Sequence, residues 1–298
     1  MKARVRGTEL FFDVEGAGIV PDGPRMVERP IAFLIHGGPG TDHSALKSRY
    51  GSLAERLQVV YYDLRGQGRS ARGDSRRYTI DEDAEDLEAL RQYLGAGPIV
   101  SAGTSYGGMV ALAHAVKYPD SVSHLVLIGT VAHGASLIRA RELIAARASA
   151  EQLQQFDDMF SGRVDTAEKF RHYLRVMAPV YARSYSGPGS EDGLSRCILT
   201  AEALVRAHGP NGYMREWDIR PQLSAITAPT MILSGRHDCI CPPEFSMEMH
   251  RLIRDSQLRI FEESAHSIGV DEPQKLVDAI FGFVVYNTRA TARKDSTR

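Results

Sequence analysis

Apolar residues in this chain gather into short unbroken runs: Ile31–Ile35, Val59–Tyr62, Ile99–Ala102, Leu125–Ile128, Thr230–Leu233 and Leu258–Phe261. Runs of this length without polar alternation predict strands buried on both faces, as in a parallel sheet. Most are followed by a stretch with helical spacing, such as Ile80–Leu94 after the second run and Ser105–Tyr118 after the third. Strand and helix in alternation predict a mostly parallel sheet covered by helices on both faces. Val5 to Val14 alternates instead, which predicts an antiparallel hairpin ahead of the Pro- and Gly-bearing loop Ile19–Arg29.

The rhythm breaks between Gly129 and Pro229, where no strand-like run occurs. Four helical patterns fill the interval: Ala135–Ala148, Ala150–Phe160, Thr166–Val176 and Leu194–His208, with a Gly- and Ser-rich loop at Ser184–Gly193. The expected organisation is a sheet domain of residues 1–130 and 223–287 with a helical lid, 131–222, inserted into it. Residues 288–298 form a polar tail, expected to fray because it has few large apolar side chains to bury.

Composition narrows the class of function. The 298 residues are 43% hydrophobic and 24% charged, ordinary values for a globular protein. No apolar run approaches the ~20 residues that span a bilayer. A net charge of −1 gives no electrostatic reason for nucleic acid or an anionic membrane as partner, so a small-molecule or short-peptide substrate is expected. The oligomeric state stays open. Met1–Arg6 is basic but runs into a strand pattern, not the apolar core of a signal peptide, so a cytoplasmic location is expected. Cys197, Cys239 and Cys241 fit neither a C-x-x-C redox pair nor a zinc site and read as reduced thiols. No metal or organic cofactor is implied.

The chemistry gathers at the ends of the apolar runs. Gly103-Thr104-Ser105-Tyr106-Gly107 is a G-x-S-x-G between a strand pattern and a helix pattern, the context of a nucleophile elbow. A serine hydroxyl is a poor nucleophile at neutral pH and needs a base, with an acid to fix that base's tautomer. In the chain order Ser, acid, His, the acid falls at Asp238, beyond Thr230–Leu233, and the base at His266, beyond Leu258–Phe261. One helix, about Pro243–Ile253, and one strand fit between them. His250 falls inside that helix, and Asp120 and Asp218 do not follow a strand in the required order. His36-Gly37-Gly38-Pro39-Gly40 follows the first run, and its open backbone can offer N–H groups to an oxyanion. The expected donors are Gly38, with Gly37 as second choice, and Tyr106; His36 is expected to orient the loop. No G-x-G-x-x-G points to a dinucleotide.

Taken together these motifs make the chain resemble the α/β-hydrolase superfamily and, within it, the proline iminopeptidase-like family. The resemblance rests on His36–Gly40, on Asp63-Leu64-Arg65-Gly66-Gln67-Gly68-Arg69-Ser70, on Gly103–Gly108, on Gly235–Asp238 and on His266. It implies a serine hydrolase acting through an acyl-enzyme on an amide or ester of a small substrate, with removal of an N-terminal proline or other small residue from a short peptide as the first guess. Recognition of a free ammonium calls for carboxylates. Family aminopeptidases tend to place a glutamate within the segment that here reads His208–Tyr213, and a further acid after the catalytic aspartate. This chain has Gly212 and Cys239 there, leaving Glu202 and Glu216 as candidate substrate-binding carboxylates. The alternative is an esterase, lactonase or amidase without free-amine recognition; a small-molecule receptor or an acyltransferase on the same scaffold is a third reading. Asp63 and Arg65 are expected to pair with each other and hold their loop, and Cys239 to be a small buried side chain.

Overall fold

The computed structural model describes residues 1–187 and 195–295. Its strands are β1 (Lys2–Val5), β2 (Thr8–Glu15), β3 (Ile19–Asp22), β4 (Arg25–Glu28), β5 (Ile31–Ile35), β6 (Gln58–Tyr62), β7 (Ile99–Thr104), β8 (Val122–Ile128), β9 (Thr230–Gly235) and β10 (Ser256–Phe261). Eight of them form one sheet in the order β1-β2-β6-β5-β7-β8-β9-β10. β1, β2 and β6 pair antiparallel, and every neighbour from β6 to β10 is parallel. This is the mostly parallel sheet expected from the strand rhythm, in the α/β-hydrolase arrangement that the resemblance implies.

The unbroken apolar runs follow from burial on both faces. Val60, Tyr62, Leu125 and Leu127 face a layer that contains α2 (Ile80–Tyr93) and α3 (Tyr106–Lys117). Their neighbours Val59, Tyr61, Val126 and Ile128 face the opposite layer, with α1 (Ser44–Tyr50) and the final helix, Pro273–Asp295. A polar side chain at either set would lose water without a partner.

Local chemistry sets the element ends. Arg6 and Gly7 both take positive φ, 44° and 74°, and turn β1 into β2, so the expected hairpin pairs these two strands. The predicted loop Ile19–Arg29 is instead a second, exposed ribbon of β3 and β4. Gly23, at φ 58°, supplies the left-handed turn that closes it.

Between β8 and β9 the chain is helical: α4 (Ser136–Arg147), α5 (Ala150–Phe160), α6 (Ala167–Tyr181) and a shorter helix, Ala201–His208. These helices share their own apolar cluster around Phe156, Phe170, Tyr173 and Leu204. Ser149 opens α5 with a capping box: its hydroxyl accepts the Gln152 N–H at 3.2 Å, and Gln152 Oε1 accepts the Ser149 N–H at 2.9 Å. The helix expected over Leu194–His208 starts only at Ala201. Ahead of it, Cys197 and Ile198 are held by Asp42, so that stretch cannot coil; part of the predicted loop Ser184–Gly193 lies outside the described residues. The tail expected to fray from residue 288 continues the last helix to Asp295. It contains neither Gly nor Pro after Gly282, and Ala, Arg and Lys sustain a helix without tertiary burial. Among the described residues no helix is long and apolar enough to cross a membrane.

Candidate active site

Ser105 stands between β7 and α3 with φ 54° and ψ −121°, a conformation that L-residues rarely adopt. The turn is held on both sides. The Ser105 N–H donates to Ile128 O at 2.9 Å, and Ser105 O accepts from the Gly108 N–H at 2.9 Å and from Thr130 Oγ1 at 2.7 Å. The flanking glycines are required by space: a Cβ on Gly103 would run into the Gly107 carbonyl, and one on Gly107 into the carbonyls of Ile35 and His36. G-x-S-x-G is thus a packing constraint that a strained serine imposes on its neighbours.

Asp238 and His266, both buried, come from the loops after β9 and β10. His266 Nδ1 lies 2.9 Å from Asp238 Oδ2. The other carboxylate oxygen accepts the N–H groups of Ile240 and Cys241, each at 2.8 Å, which fixes the orientation of the carboxylate. His266 and Ser105 line the same cavity. Asp120 and Asp218 are elsewhere: Asp120 sits in the turn before β8, and Asp218 is exposed and paired with Arg220. His250 bonds Ser256 at the surface.

The loop after β5 lies against the serine, since a Cβ on Gly37 would be 3.9 Å from Ser105 Oγ. Its first peptide is clamped. His36 Nδ1 donates to Gly37 O at 2.8 Å and Thr41 Oγ1 donates to the same oxygen at 2.7 Å. His36 Nε2 in turn accepts the Leu64 N–H at 3.1 Å, so His36 is a neutral ring with one tautomer. Burial pushes its pKa down, which supports the same state. Gly38 N–H belongs to the peptide whose oxygen is clamped. Tyr106 opens α3, where a first-turn N–H has no partner within the helix. Its hydroxyl is 2.8 Å from Asp83 Oδ2 and 2.7 Å from the hydroxyl of Tyr213. No sequence signal pointed to this buried contact, because its members are far apart in the chain.

Two expectations are corrected here. Asp63 and Arg65 do not pair: Arg65 bonds Asp86 through Nε at 2.7 Å and Nη2 at 2.5 Å, while Asp63 accepts the N–H and Nδ1 of His43 at 2.9 and 2.7 Å and the N–H of Arg69 at 2.7 Å. Arg65 stands in the turn beyond β6, where its guanidinium reaches α2, while Asp63 is taken up by the loop after β5 and by Arg69. Glu202 and Glu216 are exposed and lie outside the residues lining the cavity. Gly212 leaves no room for a side chain, because a Cβ there would meet the Ala207 carbonyl. Cys239 is buried as expected, with Sγ 3.6 Å from Arg147 Nη1.

The cavity, about 180 Å³, has mainly apolar walls: Met109 from α3, Val131 just beyond β8, and Phe156, Met159, Phe170 and Leu204 from the helices between β8 and β9. Asp42, His43 and Asp63 bring ligand-type atoms within 4.8 Å of one another. Those atoms are already committed to the hydrogen bonds of Asp63 with His43 and of Asp42 with Ser44, Arg69, Cys197 and Ile198, so the group serves as a structural tie and not as a metal cradle.

Comparison with known proteins agrees with this fold. A family model described as alpha/beta hydrolase fold matches residues 32–273. The proline iminopeptidase PfmaB of Pestalotiopsis fici is 28% identical over 91% of this chain and 97% of its own, and the proline iminopeptidase of Saccharolobus solfataricus is 31% identical over 84% and 83%. A thermophilic esterase from Thermogutta terrifontis, solved with malate bound, superposes with a TM-score of 0.71 at 26% identity, covering 96% of this chain and 97% of that one. The chain belongs to the α/β hydrolase fold family, within its proline iminopeptidase-like branch, and is a hydrolase.

Proposed function

We propose that this hydrolase is a serine enzyme that cleaves an ester or amide of a small substrate through an acyl-enzyme. The observation that carries the reading is a strained Ser105 facing a cavity that His266 also lines, with His266 held at 2.9 Å by Asp238. Ser105 Oγ attacks the substrate carbonyl as His266 Nε2 takes its proton. The tetrahedral oxyanion is met by the N–H groups of Gly38 and Tyr106, and Asp238 steadies the imidazolium. The imidazolium then gives its proton to the leaving alcohol or amine. Water, deprotonated by His266, attacks the acyl-enzyme and releases the acid. The helices between β8 and β9, residues 131–222, act as a lid over residues 1–130 and 223–287 and shape the substrate cavity. The acyl partner is a small molecule or a short peptide; two curated relatives carry the name proline iminopeptidase, and one superposed structure is titled an esterase.

Hydrolysis of para-nitrophenyl butyrate by the native protein and by Ser105→Ala, His266→Ala and Asp238→Ala tests the reading. The Ser105 and His266 variants are expected to lose at least about 10³-fold in kcat with unchanged circular dichroism. Activity retained in either sinks the assignment.

A further inference from the structure

The carboxylate on the cavity wall shows what the cavity will not hold. Asp42 lines it, yet all of its capacity is used: Oδ1 accepts the Ser44 N–H at 2.8 Å and Cys197 Sγ at 3.1 Å, while Oδ2 accepts Arg69 Nη1 at 2.7 Å and the Ile198 N–H at 2.9 Å. Four donors with a guanidinium among them leave nothing for a substrate ammonium. Among the described residues no second carboxylate lines the cavity, and the lining groups able to carry a positive charge are Arg49 and the histidines His36, His208 and His266. Arg147, beside Cys239 in the loop after Asp238, adds a further positive charge near that end of the site.

Three of the tyrosine hydroxyls at the wall are engaged within the protein. Tyr173 and Tyr181 are 3.0 Å apart, and Tyr106 is engaged by Asp83 and Tyr213. Much of the remaining wall is side-chain carbon and sulfur, from Met109, Met159, Phe156, Phe170, Leu174 and Leu204. A cation placed there would lose its water and meet, among the described residues, no carboxylate free to pair with it, whereas an alkyl or aryl group would pack against these apolar walls.

We infer that the acyl side of the substrate is apolar and that a free ammonium is not part of what this cavity recognises. The inference rests on the acyl-enzyme reading above and names its substrate class; it separates this chain in specificity from what the names of its peptidase relatives suggest.

The test sets para-nitrophenyl acetate, butyrate and hexanoate beside prolyl and alanyl para-nitroanilides and their N-acetylated counterparts, with the reactive Ser105 counted independently by fluorophosphonate labelling. Expected are a rise of at least tenfold in kcat/KM from acetate to the better of the longer esters, and anilide rates that stay equal or rise on N-acetylation. Met159→Ala, which deepens the apolar wall, should move the preferred ester to a longer chain. A labelled Ser105 with a tenfold preference for the free amines, or a flat ester series, overturns the inference alone. An unlabelled Ser105 overturns the acyl-enzyme reading first and the inference with it.

Discussion

Thr41 Oγ1 donates to the carbonyl oxygen of Gly37 at 2.7 Å, and the other end of that planar peptide is the N–H of Gly38. The hydroxyl therefore holds a proposed oxyanion donor in place. His36 shares the task from the other side, at 2.8 Å. Thr41→Val should loosen this peptide, not remove its donor. Losing a donor outright costs about 10²–10³ in kcat, so a smaller loss of about tenfold is expected, with KM little changed and Thr41→Ser restoring the rate. Steady-state kinetics on one ester decides it, and a fall confined to KM would contradict the positioning role.

His208 connects stability to pH. It is buried on the wall of the cavity against Phe160, and burial lowers its pKa from 6.5 to about 4. As pH falls the unfolded chain takes this proton first, so the contribution of His208 is intact above 6.5 and is lost progressively towards 4. A fully buried group with this shift is worth about 3 kcal/mol across the window. Urea midpoints at pH 7 and pH 5 should therefore diverge in the native protein and converge in His208→Gln. Equal slopes in the two proteins would show that His208 is not the group responsible.

Asp83 makes the opposite prediction. Burial pushes its carboxyl well above the usual range, and Asp86 pushes the same way, where it accepts from Tyr106 at 2.8 Å. A raised carboxylate value costs stability as pH climbs above the unfolded value near 3.8. Asp83→Asn keeps the shape and removes that cost, so it should match or exceed the native melting temperature at pH 7. Asp83→Ala, which leaves the hydroxyl of Tyr106 without its carboxyl acceptor in a buried site, should lower it, by about 1–3 kcal/mol.

The residues that were legible in the sequence share one property: each is fixed by local chain geometry. Ser105, Asp238 and His266 follow strands whose runs are apolar because both faces of the sheet are buried, so strand ends could be located and the residues beyond them read off. The glycines at 103 and 107 announced the elbow because nothing larger fits. What stayed hidden depends on contacts between distant segments. Asp42 reaches Cys197 and Ile198 and keeps that stretch extended, which a helical pattern over Leu194–His208 could not show. Arg65 chose Asp86, twenty-one residues on, over Asp63, two residues back. Glu202 lies on the exposed face of its helix and Glu216 just beyond a short turn, and which face points outward is set by packing of helices that one sequence does not orient.

The most direct test of the central claim is the site of covalent attachment after brief reaction with a fluorophosphonate, located by mass spectrometry of the digested protein. The account predicts one adduct, on the peptide carrying Ser105, absent in Ser105→Ala and formed at least about 10²-fold more slowly in His266→Ala. An adduct on any other residue, or one that persists in Ser105→Ala, would contradict it.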